Sequence, residues 1–257
     1  MNSISHQIRT ELARIERKNG VRVLFAVESG SRAWGFASRD SDYDVRFVYA
    51  HACDWYLSVN EGRDVIEEPI SDALDISGWD LRKALRLLRK SNPSLLEWLK
   101  SPVVYQADPA FALLFGLLAS EYHAPGRLFQ HYLHMAEGNW SAQSRGDRVR
   151  LKKYLYVLRP LLACRWIERG LGPVPMSFQV LTDGMLEDGN LRFHIAVLVA
   201  RKRAGDELAD AQRIPAIDAF IEAELARLEK LAPMEHADAD GEKLDQFFRE
   251  FCTAEAA

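Results

Sequence analysis

Glu28-Ser-Gly-Ser-Arg-Ala-Trp-Gly35, followed by Ser41-Asp-Tyr-Asp-Val45, decides how this chain is read. Before it, Val21-Arg-Val-Leu-Phe-Ala-Val27 is an apolar run of strand length, and Asp44-Val-Arg-Phe-Val-Tyr49 is another. The turn between them presents Gly30-Ser31, and two carboxylates, Asp42 and Asp44, follow at i, i+2 spacing. Residues two apart on a strand share a face, so both carboxylates aim at whatever the turn holds. Mg²⁺ takes one or two carboxylates together with substrate phosphates. A turn free of bulky side chains lets backbone N–H groups approach phosphate oxygens, and a following helix N-terminus adds to that attraction. The pattern suits a metal-bound nucleoside triphosphate. An ordinary surface hairpin explains Gly30 as a positive-φ residue and Ser41-Asp-Tyr-Asp44 as a turn cap. It gives the second carboxylate no purpose.

Gly30-Ser31, a spacer and Asp42-x-Asp44 resemble the signature of the DNA-polymerase-β-like nucleotidyltransferase superfamily. Three segments are most similar to its bacterial and phage RNA-repair (RNA-ligase-associated) branch: Gly30-Ser-Arg-Ala-Trp-Gly-Phe36, Ser41-Asp-Tyr-Asp-Val-Arg46 and Lys90-Ser-Asn-Pro-Ser-Leu-Leu-Glu-Trp-Leu99. The resemblance covers residues 20–175 and fades beyond them. It implies transfer of a nucleoside monophosphate from a triphosphate, ATP among them, to an acceptor hydroxyl with release of pyrophosphate. Mg²⁺, or Mn²⁺, is then held by Asp42, Asp44 and a third carboxylate on a later strand. Gly30, Ser31 and Arg32 hold the β and γ phosphates. The favoured acceptor is an RNA 3′ end; a protein hydroxyl or a small molecule stays open. The competing reading is a catalytically inactive nucleotide- or RNA-binding regulator on the same fold.

Asp75 is the chosen third carboxylate, because it interrupts the apolar strand Ala73-Leu-Asp-Ile-Ser-Gly78, a costly placement without a partner. Asp80 is the runner-up, with helix capping as its ordinary role; Asp72 and Glu67 follow. Between Arg145 and Arg169 stand eight Lys or Arg against two acids in an otherwise acidic chain. On a helix, Lys152, Tyr156 and Arg159 share a face, with Arg148 one turn earlier, and Leu151, Leu155, Leu158 and Leu162 form the adjoining apolar stripe. By resemblance this helix closes over the triphosphate; a solvated basic face is the alternative.

The rest of the chain bounds these expectations. A net charge of −4 over 257 residues argues against a generally basic nucleic-acid binder. The widely spaced Cys53, Cys164 and Cys252 suggest neither a disulfide framework nor a zinc site. With no signal-like N-terminus and no apolar span, the expectation is a cytoplasmic protein without a membrane partner. No P-loop or nucleophile-elbow motif occurs. His131 and His134 lack a third ligand nearby, and Arg201-Lys-Arg203 reads as solvated charge. Helix periodicity over 4–18, strands near 21–28, 43–50 and 73–78, and helical patterns beyond Pro109 make an α+β chain. The expected division is a small mixed-sheet nucleotidyltransferase core over 1–105 and a helical region over 106–257.

Overall fold

The computed structural model describes residues 3–70, 73–142, 148–205, 210–231 and 240–252. The chain opens with α1 (Ser3–Asn19), β1 (Val21–Glu28), α2 (Gly30–Trp34), β2 (Tyr43–His51), α3 (Cys53–Tyr56), β3 (Val65–Glu67) and β4 (Leu74–Asp80). It continues through α4 (Leu81–Arg89), α5 (Pro93–Trp98), β5 (Val104–Ala107), α6 (Pro109–Glu121), α7 (Pro125–Ser141) and β6 (Arg148–Arg150). Then come α8 (Leu151–Glu168), α9 (Phe178–Met185), α10 (Gly189–Arg203), β7 (Asp210–Gln212), α11 (Pro215–Leu228) and α12 (Glu242–Cys252). These elements form two units. One comprises Met1–Ala33, Asp42–His123 and Ala237–Ala257; the other comprises Trp34–Ser41 and Ala124–His236.

The first unit is built on a five-stranded sheet of order β3-β4-β2-β1-β5. β2 and β4 run parallel; the other neighbours are antiparallel. β1 is buried along almost its whole length and β2 through its second half up to Ala50, as a sheet covered on both faces requires. Ile8, Leu12 and Ile15 of α1 pack with Val23, Val45, Phe47 and Ile76 in one core, while α4, α6 and α12 lie against the strands as well. Gly78 sits opposite Phe47 in the β2–β4 pairing, and a Cβ there would run into the Phe47 ring. Helix starts follow local chemistry. Asp80, Asn92 and Asp108 accept from the N–H groups of Arg82, Leu95 and Phe111 at 2.8, 3.1 and 3.0 Å, and Pro93 and Pro109 occupy the first turns.

The strands expected near 21–28, 43–50 and 73–78 are present as β1, β2 and β4, and Val65–Glu67 adds the edge strand β3. β5 was not foreseen, because Val104-Tyr-Gln-Ala is too short to show a period; it completes the other edge by pairing with β1. The helices α6 and α12 belong with the sheet unit, rather than with the helical region drawn from residue 106 onward. Cys53 and Cys252, 199 residues apart in sequence, come to 3.3 Å between sulfurs as free thiols.

The second unit is helical around α8. Leu151, Leu155, Leu158 and Leu162 are fully buried, as their stripe predicts, and α7, α9, α10 and α11 pack on this helix. Arg148 is not a turn of α8; it stands in β6, which pairs with β7 in a short ribbon the sequence did not suggest. Lys202 also departs from expectation. It is 2% exposed, and its ammonium donates to Ser41 Oγ at 2.9 Å. Among the described residues, no helix is long and apolar enough to cross a membrane.

Gly78→Ala is expected to destabilise the protein by about 1–3 kcal/mol, the usual range for overpacking a core. Gly116→Ala, where nothing lies within 4 Å of the added carbon, is expected to be neutral or stabilising by up to about 1 kcal/mol through helix propensity. Urea-unfolding midpoints of the two variants test the contrast.

Candidate functional site

The candidate site lies in the first unit, where β1, the Gly-Ser turn, β2 and β4 meet. Parallel pairing sets Asp44 directly opposite Asp75 and Arg46 opposite Ser77. Asp44 and Arg46 are two apart on one strand, so both side chains lie on the face that meets Asp75. Arg46 Nη2 stands 3.3 Å from Asp44 Oδ1 and 2.8 Å from Asp75 Oδ2. Arg46 Nη1 donates to Asp75 Oδ1 (3.2 Å) and to the carbonyls of Asp75 (2.9 Å) and Val45 (3.0 Å). The partner that a carboxylate in an apolar strand needs is thus Arg46.

Asp42 falls just before β2 and is exposed. Its carbonyl accepts from Arg32 Nε at 3.1 Å, and the Arg32 guanidinium lies 3.7 Å from the centre of the Tyr43 ring. Arg32 therefore ties the turn to the start of β2. Ser31 is buried. Gly30 has φ of 60°, and a Cβ there would collide with the Asp44 carboxylate. Only glycine lets that carboxylate lie so close to the turn. Gly30 and Ser31 themselves open α2, which has only five residues, so it carries little of the macrodipole that a longer helix would bring.

Beneath the site is a residue the sequence reading passed over. Glu28, 1% exposed at the end of β1, accepts the Asp44 N–H on Oε1 at 2.9 Å and the Tyr105 hydroxyl on Oε2. The Ser29 N–H donates to the Asp44 carbonyl at 2.8 Å. Burial pushes the Glu28 carboxyl up from its ordinary value; the bonds from Tyr105 and the Asp44 N–H oppose the shift. A carboxylate closing an apolar strand just before a Gly-Ser turn was the available signal for Glu28. The i, i+2 spacing to Asp44 was the signal for Arg46.

Asp80, the alternative third carboxylate, is 1% exposed; it caps α4 and accepts the Tyr56 hydroxyl at 2.6 Å. Glu67 stands on the edge strand β3, and Asp72 lies outside the described residues.

The donor chemistry at Asp42, Asp44 and Asp75 is hard carboxylate oxygen, which suits Mg²⁺ or Mn²⁺. Burial pushes the Asp44 carboxyl above its ordinary value; Arg46 and Arg32 oppose the shift, while Asp75 and Asp42 add to it. Negative charge is in excess there, and a cation fits. As the side chains stand, no group of three or more His, Cys, Asp or Glu among the described residues is arranged to hold a metal ion; Arg46 spans Asp44 and Asp75.

In the second unit, Lys152 and Tyr156 are half-buried, and Tyr156 meets the Trp34 ring edge-on at 5.4 Å. Arg159 is 2% exposed, with its guanidinium 4.8 Å from the centre of the Trp34 ring and Nη2 4.0 Å from Met176 Sδ. The basic stripe is therefore not a solvated face at Arg159.

The model of the RNA repair pathway DNA polymerase beta family, RlaP, matches residues 4–250. The chain belongs to this family. The match runs well beyond the segment 20–175 in which the resemblance was read. An uncharacterized protein of Bacillus subtilis (strain 168), YcgL, is 49% identical over 229 residues, covering 89% of this chain and 88% of that protein. A crystal structure of a nucleotidyltransferase-like protein from Exiguobacterium sibiricum 255-15 aligns over 97% of this chain and 88% of that one, with 11% identity and a TM-score of 0.33.

Arg159→Gln is expected to destabilise the protein by about 2 kcal/mol, the scale of a desolvated cation–π contact. Lys152→Gln should stay within about 0.5 kcal/mol, as surface substitutions do. Equal unfolding midpoints for the two variants would contradict the buried placement of Arg159.

Proposed function

We propose that this member of the family is a metal-dependent nucleotidyltransferase that moves a nucleoside monophosphate from a triphosphate to an acceptor hydroxyl, with an RNA 3′ end as the favoured acceptor. The observation that carries the reading is the placement of Asp44 opposite Asp75 beside Gly30, with Asp42 at the mouth of the same strand. Asp42, Asp44 and Asp75 would hold Mg²⁺, or Mn²⁺ in its place, which when bound supplies positive charge to the triphosphate and lowers the pKa of the acceptor hydroxyl.

In the transfer, the acceptor oxygen attacks the α-phosphorus, the bond from that phosphorus to the bridging oxygen breaks, pyrophosphate leaves, and the acceptor proton passes to solvent. The chain's own contribution is positioning and charge. Gly30 and Ser31 present backbone N–H groups to the β and γ phosphates, and Arg32 steadies the turn through Asp42 and Tyr43. Glu28 fixes the backbone of Asp44, so that its carboxylate keeps one orientation. Lys152 is proposed as a second source of positive charge for the nucleotide. Tyr156 and Arg159 are given the lesser part of holding Trp34.

One observation favours a second reading, a nucleotide- or RNA-binding regulator without turnover: the Asp44–Asp75 pair already holds an arginine. Labelled triphosphates offered with Mg²⁺ or Mn²⁺ and total RNA, total protein or small-molecule acceptors separate the readings. Label entering RNA supports the first, and label entering no pool favours the second. Asp42→Asn combined with Asp44→Asn is expected to leave folding intact and reduce transfer below a few per cent, because neutral amides lack the ligand charge. Substantial activity in a folded double variant would sink the assignment of these carboxylates.

A further inference from the structure

The guanidinium of Arg46 meets the same carboxylate oxygens that a divalent ion would take. Nη2 bonds Asp44 Oδ1 and Asp75 Oδ2 together, while Nη1 holds the remaining oxygen of Asp75 and two main-chain carbonyls. The three side chains are only 19%, 25% and 32% exposed for Arg46, Asp44 and Asp75, so water screens them weakly. A guanidinium does not lose its proton at any working pH. It must therefore stay as a cation or move as one.

We propose that Arg46 is the resident counter-ion of the Asp44–Asp75 pair, and that a divalent ion binds there only by exchanging with it. The inference rests on the metal-binding reading above. Exchange breaks both Nη2 bonds together with the Nη1 bonds to Asp75 and to the Val45 carbonyl, and so frees a planar fork of donors. Such a fork pairs bidentately with phosphate oxygens. Metal alone displaces Arg46 into water, whereas metal arriving with a triphosphate gives the released guanidinium a new anionic partner. Metal and nucleotide should thus bind cooperatively, each raising the affinity for the other by the same factor. The residue makes the site selective for the metal–nucleotide pair over free metal.

The test is Mn²⁺ titration of the full chain, following the free-ion electron paramagnetic resonance signal with and without a saturating non-hydrolysable ATP analogue. Without nucleotide, Arg46→Gln is expected to bind Mn²⁺ about tenfold more tightly than the parent, the scale of one charge-assisted hydrogen bond. With the analogue, the difference should shrink to about threefold or less, because the parent's Arg46 has then left the pair. Asp44→Asn should bind at least about tenfold more weakly than the parent in either condition. If Arg46→Gln proves poorly folded, Arg46→Lys, which keeps the charge but loses the fork, is expected between parent and Gln. Unchanged or weaker Mn²⁺ binding in the folded Arg46 variant, with Asp44→Asn still impaired, overturns the exchange and leaves the metal site standing. Parent-like binding by Asp44→Asn overturns both.

Discussion

The parallel pairing of β2 with β4 is the constraint on which the rest depends. It puts Asp44 opposite Asp75, and a slip of one residue would turn every side chain of one strand to the other face. The register is therefore held from several directions. Glu28 accepts the Asp44 N–H, the Ser29 N–H takes the Asp44 carbonyl, and Phe47 lies over Gly78. The first two tie the acidic end of β2 to the end of β1, and the third fixes the middle of the β2–β4 pairing. The turn before it tolerates no Cβ because the carboxylate occupies that space.

Such an arrangement is a poor one if stability alone is counted. Three carboxylates and a buried fourth, Glu28, gather at one end of a sheet, and burial moves both Glu28 and Asp44 upward in pKa. Natural sequences keep conflicts of this kind where function uses them. The remainder of the sheet unit follows ordinary rules, with apolar strands, Asp and Asn caps and proline at helix starts. The helical unit places its own exceptions, Arg159 and Lys202, inside the structure and in contact with a ring and a hydroxyl.

Much of the sheet unit was legible in the sequence because its signals are local. Strand runs, cap residues and the spacing of Asp42 and Asp44 need only a few neighbouring residues. The choice of Asp75 rested on one local anomaly, a charge inside an apolar strand; its juxtaposition with Asp44 needed the register. What escaped was long-range or too short to show a period. β5 has four residues, β6 and β7 have three each, and the meeting of Cys53 with Cys252 joins opposite ends of the chain. Arg159 reads from sequence as facing a triphosphate or, failing that, solvent, and its burial against Trp34 escaped because helical spacing reports which residues share a face, not what covers that face. Arg46 was overlooked because a basic residue on a strand reads as an exposed position until its cross-strand partner is known.

The position of α12 bears on how the protein is made. Phe247 and Phe251 of this last helix pack edge-on or tilted against Phe111 and Phe115 of α6, so the sheet unit draws its core from both ends of the chain around an inserted helical unit. On the ribosome, β1 through α6 emerge early, yet the aromatic cluster cannot close until residues beyond 240 have left the exit tunnel. At about 5–20 residues per second, that interval is roughly 7 to 28 seconds, during which Phe111 and Phe115 lack this cover. The helical unit, drawn from Trp34–Ser41 and Ala124–His236, has all of its chain synthesised before α12.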